Sequence, residues 1–110
     1  MSGLCMGATL RRAGLHDFTI YEKADEVGGT WRDNTYPGAA CDVPSRLYSF
    51  SFAPNPRWSR SFSPQHEILD YLRRCADDFG VRDRIRFGVR AEEAVWDEDA
   101  RRWTVRTSSG

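Results

Sequence analysis

Gly3 and Glu22 are residue types that, about 20 positions apart across a helix and a strand, can hold a dinucleotide between them. A helix opening at Ser2-Gly3 presents unpaired N–H groups and the positive end of its dipole, and both favour a pyrophosphate. A glutamate closing the next strand accepts two hydrogen bonds from a ribose diol. Its charge repels a 2′-phosphate, so this position suits FAD or NAD rather than NADP. The pair alone leaves a plainer reading open, with Gly3 an ordinary helix-start glycine and Glu22 a solvated strand end. The first strand and the first two glycines of the full fingerprint are absent from the sequence.

A second constellation follows. Gly28-Gly29-Thr30-Trp31 joins a doublet that lets the backbone turn sharply and approach a ligand to a flat apolar wall with one N–H donor. Trp31 reads equally as core packing from local sequence. Four residues later comes Tyr36-Pro37-Gly38-Ala39-Ala40-Cys41-Asp42, in which Asp42 can cap a turn before Val43-Pro44. Cys41 beside that carboxylate is disfavoured as a thiolate and reads as a buried or lining thiol.

With Glu22 in front, these two runs closely resemble the flavin-containing and Baeyer–Villiger monooxygenases. The resemblance continues through Leu47-Tyr48-Ser49-Phe50-Ser51-Phe52, Trp58-Ser59 and Tyr71-Leu72, and covers nearly the whole chain. It implies FAD and NADPH as cofactors, O₂ as co-substrate, and a peroxyflavin that delivers one oxygen atom to a ketone or to a nitrogen or sulfur nucleophile. By the same resemblance Ser2 sits near the FAD pyrophosphate, Gly29, Thr30, Trp31, Arg32 and Asp33 line the flavin cofactor, and Tyr48 contacts it. The backbone near Ala91 lies at its adenine end. Ala40, Cys41 and Asp42 correspond to a stretch that contacts NADP, and Asp42 to an aspartate beside the flavin that orients an active-site arginine. No arginine of this sequence is assigned to that partner.

Elements must position these groups. Leu4, Met6, Ala8, Leu10 and Ala13 predict a helix over 2–13 that stops at Gly14. Phe18, Thr19, Ile20 and Tyr21 predict a strand over 17–22 buried on both faces. Residues 23–62 hold most of the aromatics without periodicity, which is the mark of a functional loop region rather than a connection. Ser63 as cap and Pro64 at the first position open a helix over 63–79, with Ile68, Leu69, Leu72, Cys75, Ala76 and Phe79 as its apolar stripe. Residues 84–90 alternate as a strand, and 91–96 and 102–107 flank a turn at 97–100 as a hairpin.

The expected architecture is α/β: a partial Rossmann-like, doubly wound, three-layer FAD-binding domain lacking its first strand, with a β-hairpin near the C-terminus. Its parts are a βαβ remnant over 1–22, a flavin-lining region over 23–62, the helix over 63–79 and the strands over 84–107. On this reading the 110 residues are a piece of a longer enzyme, inactive by itself. A non-catalytic remnant and an FAD oxidoreductase that does not oxygenate are the competing readings.

Composition narrows the classes. Sixteen basic residues balance sixteen acidic ones, which leaves no electrostatic footprint for nucleic acid or an anionic membrane. His16 and His66 have no metal-ligand spacing, so no metal is expected. Three cysteines without a C-x-x-C pair fit a reducing, cytoplasmic setting. No apolar run approaches the roughly 20 residues a membrane span needs.

Overall fold

The computed structural model describes residues 1–110. Helix α1 spans Ser2–Arg12, buries Leu4, Gly7 and Ala8, and carries Arg11 and Arg12 at the end that its dipole makes negative. It ends in a Schellman turn: Gly14 N–H bonds to Arg11 O at 2.9 Å and Leu15 N–H to Leu10 O at 2.9 Å. Strand β1, Ile20–Glu22, lies directly beneath α1. A Cβ on Gly3 would stand 3.0 Å from Ile20, and one on Gly7 would stand 2.9 Å from it, so the two glycines set how closely helix and strand approach.

β1 is shorter than the sequence predicts, and it is not buried on both faces. Ile20 and Glu22 are half-buried while Tyr21 is exposed. The reason is topological: α1 covers one face, and only β2, Ile85–Phe87, pairs with β1 in a parallel ladder. Gly88, at φ 70°, turns the chain out of line and ends β2 before the predicted position 90.

Helix α3 spans Gln65–Asp78 and supplies the centre of the core. Its Ile68, Tyr71, Leu72, Cys75 and Ala76 pack with Leu4, Val27, Cys41, Val81 and Ile85. The predicted stripe therefore shifts slightly, since Tyr71 is buried where Leu69 and Phe79 are only half-buried. Ser63 does not cap this helix. Pro64 occupies the cap position and makes no side-chain cap bond, while the Ser63 hydroxyl is buried and donates to Ser45 Oγ at 2.6 Å.

Residues 23–62 contain one short helix, α2 (Thr30–Asp33), and a 3₁₀ turn at Ser45–Leu47. Long-range bonds hold the rest. Cys41 N–H bonds to Ser63 O at 2.9 Å, Ser45 N–H to Ser61 O at 2.7 Å, and Gln65 N–H to Ala39 O at 2.9 Å. Tyr71 clamps the segment by accepting Phe50 N–H at 2.9 Å and donating to Ala53 O at 2.8 Å.

Strands β3 (Ala91–Asp97) and β4 (Arg102–Thr107) form an antiparallel hairpin separate from the β1–β2 ladder. Asp97 accepts Ala100 N–H at 2.8 Å in its turn, and Arg101 takes the left-handed conformation there at φ 49°. Every β3 side chain is exposed. The hairpin stands off the body, which explains a radius of gyration of 16.0 Å and a longest extent of 51 Å; a compact domain of this length has a radius of about 13 Å.

Candidate functional site

The N-terminus of α1, the end of β1 and the Gly28-Gly29 turn converge on one cavity of about 220 Å³. Met1, Ser2, Gly3, Glu22, Gly28 and Gly29 line it, with Val27 and Ile85 among the apolar walls. Met1 is the cap residue of α1 and makes no side-chain cap bond. The first intrahelical acceptor, Met1 O, is used by Cys5 N–H at 3.0 Å. The N–H groups of Ser2, Gly3 and Leu4 consequently have no helical partner, and they stand at the mouth of the cavity.

Glu22 faces the same cavity from the strand end. Its Oε1 accepts Ala24 N–H at 2.9 Å and lies 3.4 Å from Arg32 Nη1. Its Oε2 makes no hydrogen bond within the protein, so one carboxylate oxygen is fixed and the other is free to accept.

The two glycines of the doublet do different work. Gly28 is buried at φ 126°, and a Cβ there would stand 2.5 Å from Leu69 Cδ1 and 3.1 Å from Arg32 Cβ. It is a packing residue against α3. Gly29, at φ 54°, would meet nothing within 4 Å, so its outer side is the open one. Sequence reasoning placed Gly29 in the site. It missed Met1, Val27 and Ile85 as lining residues, because nothing local marks an apolar side chain brought in from a distant element.

Trp31 and Tyr48 adjoin this centre. Trp31 Nε1–H donates to Tyr48 Oη at 3.0 Å, the rings meet edge to face at 5.8 Å, and Tyr48 Oη lies 3.8 Å from Met1 Sδ. Gln65 Nε2 donates to Trp31 O, which ties α2 to α3. Thr30 is exposed at the start of α2. Arg32 is turned inward and grips Asp33 through a fork of 2.8 and 3.1 Å. That bond is the largest influence raising the Arg32 pKa, and the same bond lowers that of Asp33.

Ala40, Cys41 and Asp42 lie elsewhere, beside α3. Ala40 bridges to Pro64, and Cys41 is buried with its Sγ accepting Val43 N–H at 3.4 Å. The turn is thus closed by the thiol rather than by Asp42, which is exposed and makes no side-chain hydrogen bond or ion pair. Ala91 opens β3, exposed and apart from the cavity. No three His, Cys, Asp or Glu side chains gather as a metal site, and no helix is long and apolar enough to cross a membrane.

Taken together, the cavity offers donors for a pyrophosphate, a free carboxylate oxygen for a hydroxyl, and a glycine whose outer face admits close approach. These are the groups that an adenosine diphosphate moiety requires.

Comparison with known proteins identifies the family. Residues 1–73 match the NAD(P)-binding Rossmann-like domain family. A Baeyer-Villiger monooxygenase of Streptomyces coelicolor is 54% identical over 108 residues, covering 98% of this chain and 21% of the relative. Among solved structures, oxidized steroid monooxygenase bound to NADP superposes with a TM-score of 0.90 at 46% identity, covering 97% of this chain and 21% of that one. The OTEMO complex with FAD and NADP superposes at 0.86 with 33% identity, over 96% and 20%. The chain therefore spans about a fifth of the length of the proteins it matches.

Proposed function

The chain belongs to the NAD(P)-binding Rossmann-like domain family, and from that premise we propose that it is the FAD-holding part of an NADPH-dependent flavin monooxygenase. The substrate class is a ketone, or alternatively a nitrogen or sulfur nucleophile, with O₂ as co-substrate. The observation that carries the reading is the convergence of the free α1 N–H groups, Glu22 Oε2 and Gly29 on one cavity.

In this reading the amides of Ser2, Gly3 and Leu4 bind the FAD pyrophosphate, and Glu22 accepts a hydroxyl of the adenosine ribose. Gly29 and Thr30 let the cofactor lie close to the backbone. Trp31, held by Tyr48, supplies a flat wall whose N–H is already satisfied. Arg32 and Asp33 flank that wall, and the backbone at Ala91 meets the adenine end. Bound there, FAD supplies the two-electron redox chemistry and the oxygen activation.

Ala40, Cys41 and Asp42 face the nicotinamide side. Asp42 is the one carboxylate of that stretch, and its exposure and lack of partners leave it able to orient a guanidinium. Cys5, Cys41 and Cys75 are all free thiols, which supports a reducing, cytoplasmic setting.

The test is a flavin-fluorescence titration of the chain with FAD, against Glu22→Ala. Loss of one charged acceptor lowers affinity by roughly 10- to 100-fold. Unchanged affinity in the variant contradicts the assignment of Glu22. The 110 residues are expected to hold FAD weakly and to oxidise no NADPH by themselves; steady NADPH consumption by the chain alone would overturn that expectation.

A further inference from the structure

Arg32 is the one cation paired with Glu22, and it is itself pinned on two other sides. Its Nη1 donates to Glu26 O at 2.5 Å, and its Nε and Nη2 grip the Asp33 carboxylate. The Arg32 side chain is only 13% exposed and the Glu22 side chain 25%. A guanidinium anchored in this way is a fixed wall rather than a mobile surface charge. Against it Glu22 Oε1 rests at 3.4 Å, while Ala24 N–H holds the same oxygen at 2.9 Å. One hydrogen bond and one ion pair thus hold Oε1, and Oε2 has no partner within the protein.

We propose that Arg32 is a positioning residue: it fixes the rotamer of Glu22 so that Oε2 meets a ribose diol, and it does not touch the nucleotide itself. This rests on the reading of Glu22 as the ribose acceptor. It assigns Arg32 a role distinct from lining the cofactor, because Asp33, Glu26 O and Glu22 engage four of its five N–H groups and leave only one on Nη2.

The experiment compares two probes on the 110-residue chain by calorimetric or NMR titration up to millimolar ligand: ADP and 2′,3′-dideoxy-ADP. The wild-type chain is expected to prefer ADP by roughly ten-fold, the value of one charge-assisted hydrogen bond. In Arg32→Gln the preference falls to about three-fold, and the affinity for dideoxy-ADP stays within a factor of about two, since only the aim of Glu22 has changed. Arg32→Lys, a point charge without the fork, lies between these values. Glu22→Ala abolishes the preference, and adding Arg32→Gln to it changes nothing further.

Circular dichroism and thermal melts confirm that each variant is folded. If Arg32→Gln does not fold, Arg32→Lys carries the comparison. An Arg32 variant that keeps the full preference overturns the proposal. So does one that weakens both probes equally, which would mark a structural role or direct contact with the anion. A different result, in which Glu22→Ala retains the preference or the wild-type chain shows none, removes the ribose assignment of Glu22 first and the role of Arg32 with it.

Discussion

The cavity at the head of α1 and the stretch that carries Asp42 are built in opposite ways. The cavity is assembled mainly from chain neighbours: the helix start, the strand that follows it and the glycine turn after that strand. Its polar groups already point inward. The stretch from Ala39 to Ala53 has no regular structure beyond a 3₁₀ turn, and it borrows its shape from α3 and the segment before it through Ser61, Ser63, Gln65 and Tyr71. Its one candidate for chemistry, Asp42, faces solvent with no partner. On the proposed reading, nucleotide binding is a local property of this fold. Placing a carboxylate beside a reacting centre depends on groups brought from a distance.

The largest expected effect comes from breaking the first region. Gly28→Ala forces a side chain into a backbone at φ 126° and into Leu69, and is expected to cost about 3 kcal/mol in urea unfolding from strain and overpacking together. Gly29→Ala meets no neighbour, but its φ of 54° with ψ of −121° is a conformation L side chains avoid, so it is expected to cost about 2 kcal/mol from backbone strain alone, with a further loss of FAD affinity. Equal destabilisation by the two substitutions would dissolve the distinction between packing glycine and ligand-facing glycine.

The second region is loosened by Tyr71→Phe. The lost hydroxyl leaves Phe50 N–H and Ala53 O unpaired in a half-buried setting, which is expected to cost about 2 kcal/mol. ADP affinity at the α1 cavity is expected to stay unchanged, and a parallel fall in affinity would show that the two regions are coupled. Burial also pushes the Tyr71 phenol up to about 12, so it remains a donor across the physiological range.

A smaller effect appears in acid. Glu26 sits between the glycine turn and the arginines that follow. Burial tends to raise its pKa, but the bonds from Arg82 and Val27 N–H and the charges of Arg82 and Arg73 outweigh burial and leave it lowered. A carboxylate with a depressed folded pKa adds stability above its unfolded value of about 4.3, and that stability is lost as pH falls through the folded value. Stability of the wild-type chain should therefore decline more steeply below that pH than stability of Glu26→Gln. Matching acid limbs would remove Glu26 from the account. Smallest of all is Asp42→Ala, expected to shift stability by less than about 0.5 kcal/mol because the side chain has no partner.

The same contrast decides what could be read from the sequence. α1, α3 and the hairpin were legible because their signals are local: apolar periodicity, Gly14 as a stop, Pro64 at a helix start, and two strand-like runs flanking the turn at 97–100. The meeting of Gly3 and Glu22 followed from the length of one helix and one strand. Ser63 was misread as a cap because its true partner, Ser45, is a long-range neighbour. The burial of Tyr71 and the inward turn of Arg32 were hidden for the same reason. β1 was read as longer and more enclosed than it is, because a run of β-formers does not reveal how many strands flank it.

The central claim is that the head of α1, Glu22 and Gly29 form the nucleotide cradle. Two-dimensional amide NMR of the chain titrated with ADP tests it most directly. The account predicts that the moving resonances are those of Ser2, Gly3, Leu4, Glu22 and Gly29, with Ala91 at the adenine end, while Ala40 to Asp42 and the rest of the hairpin stay still. Shifts concentrated on the hairpin or around Arg46 and Arg60, with the α1 amides unmoved, would contradict it.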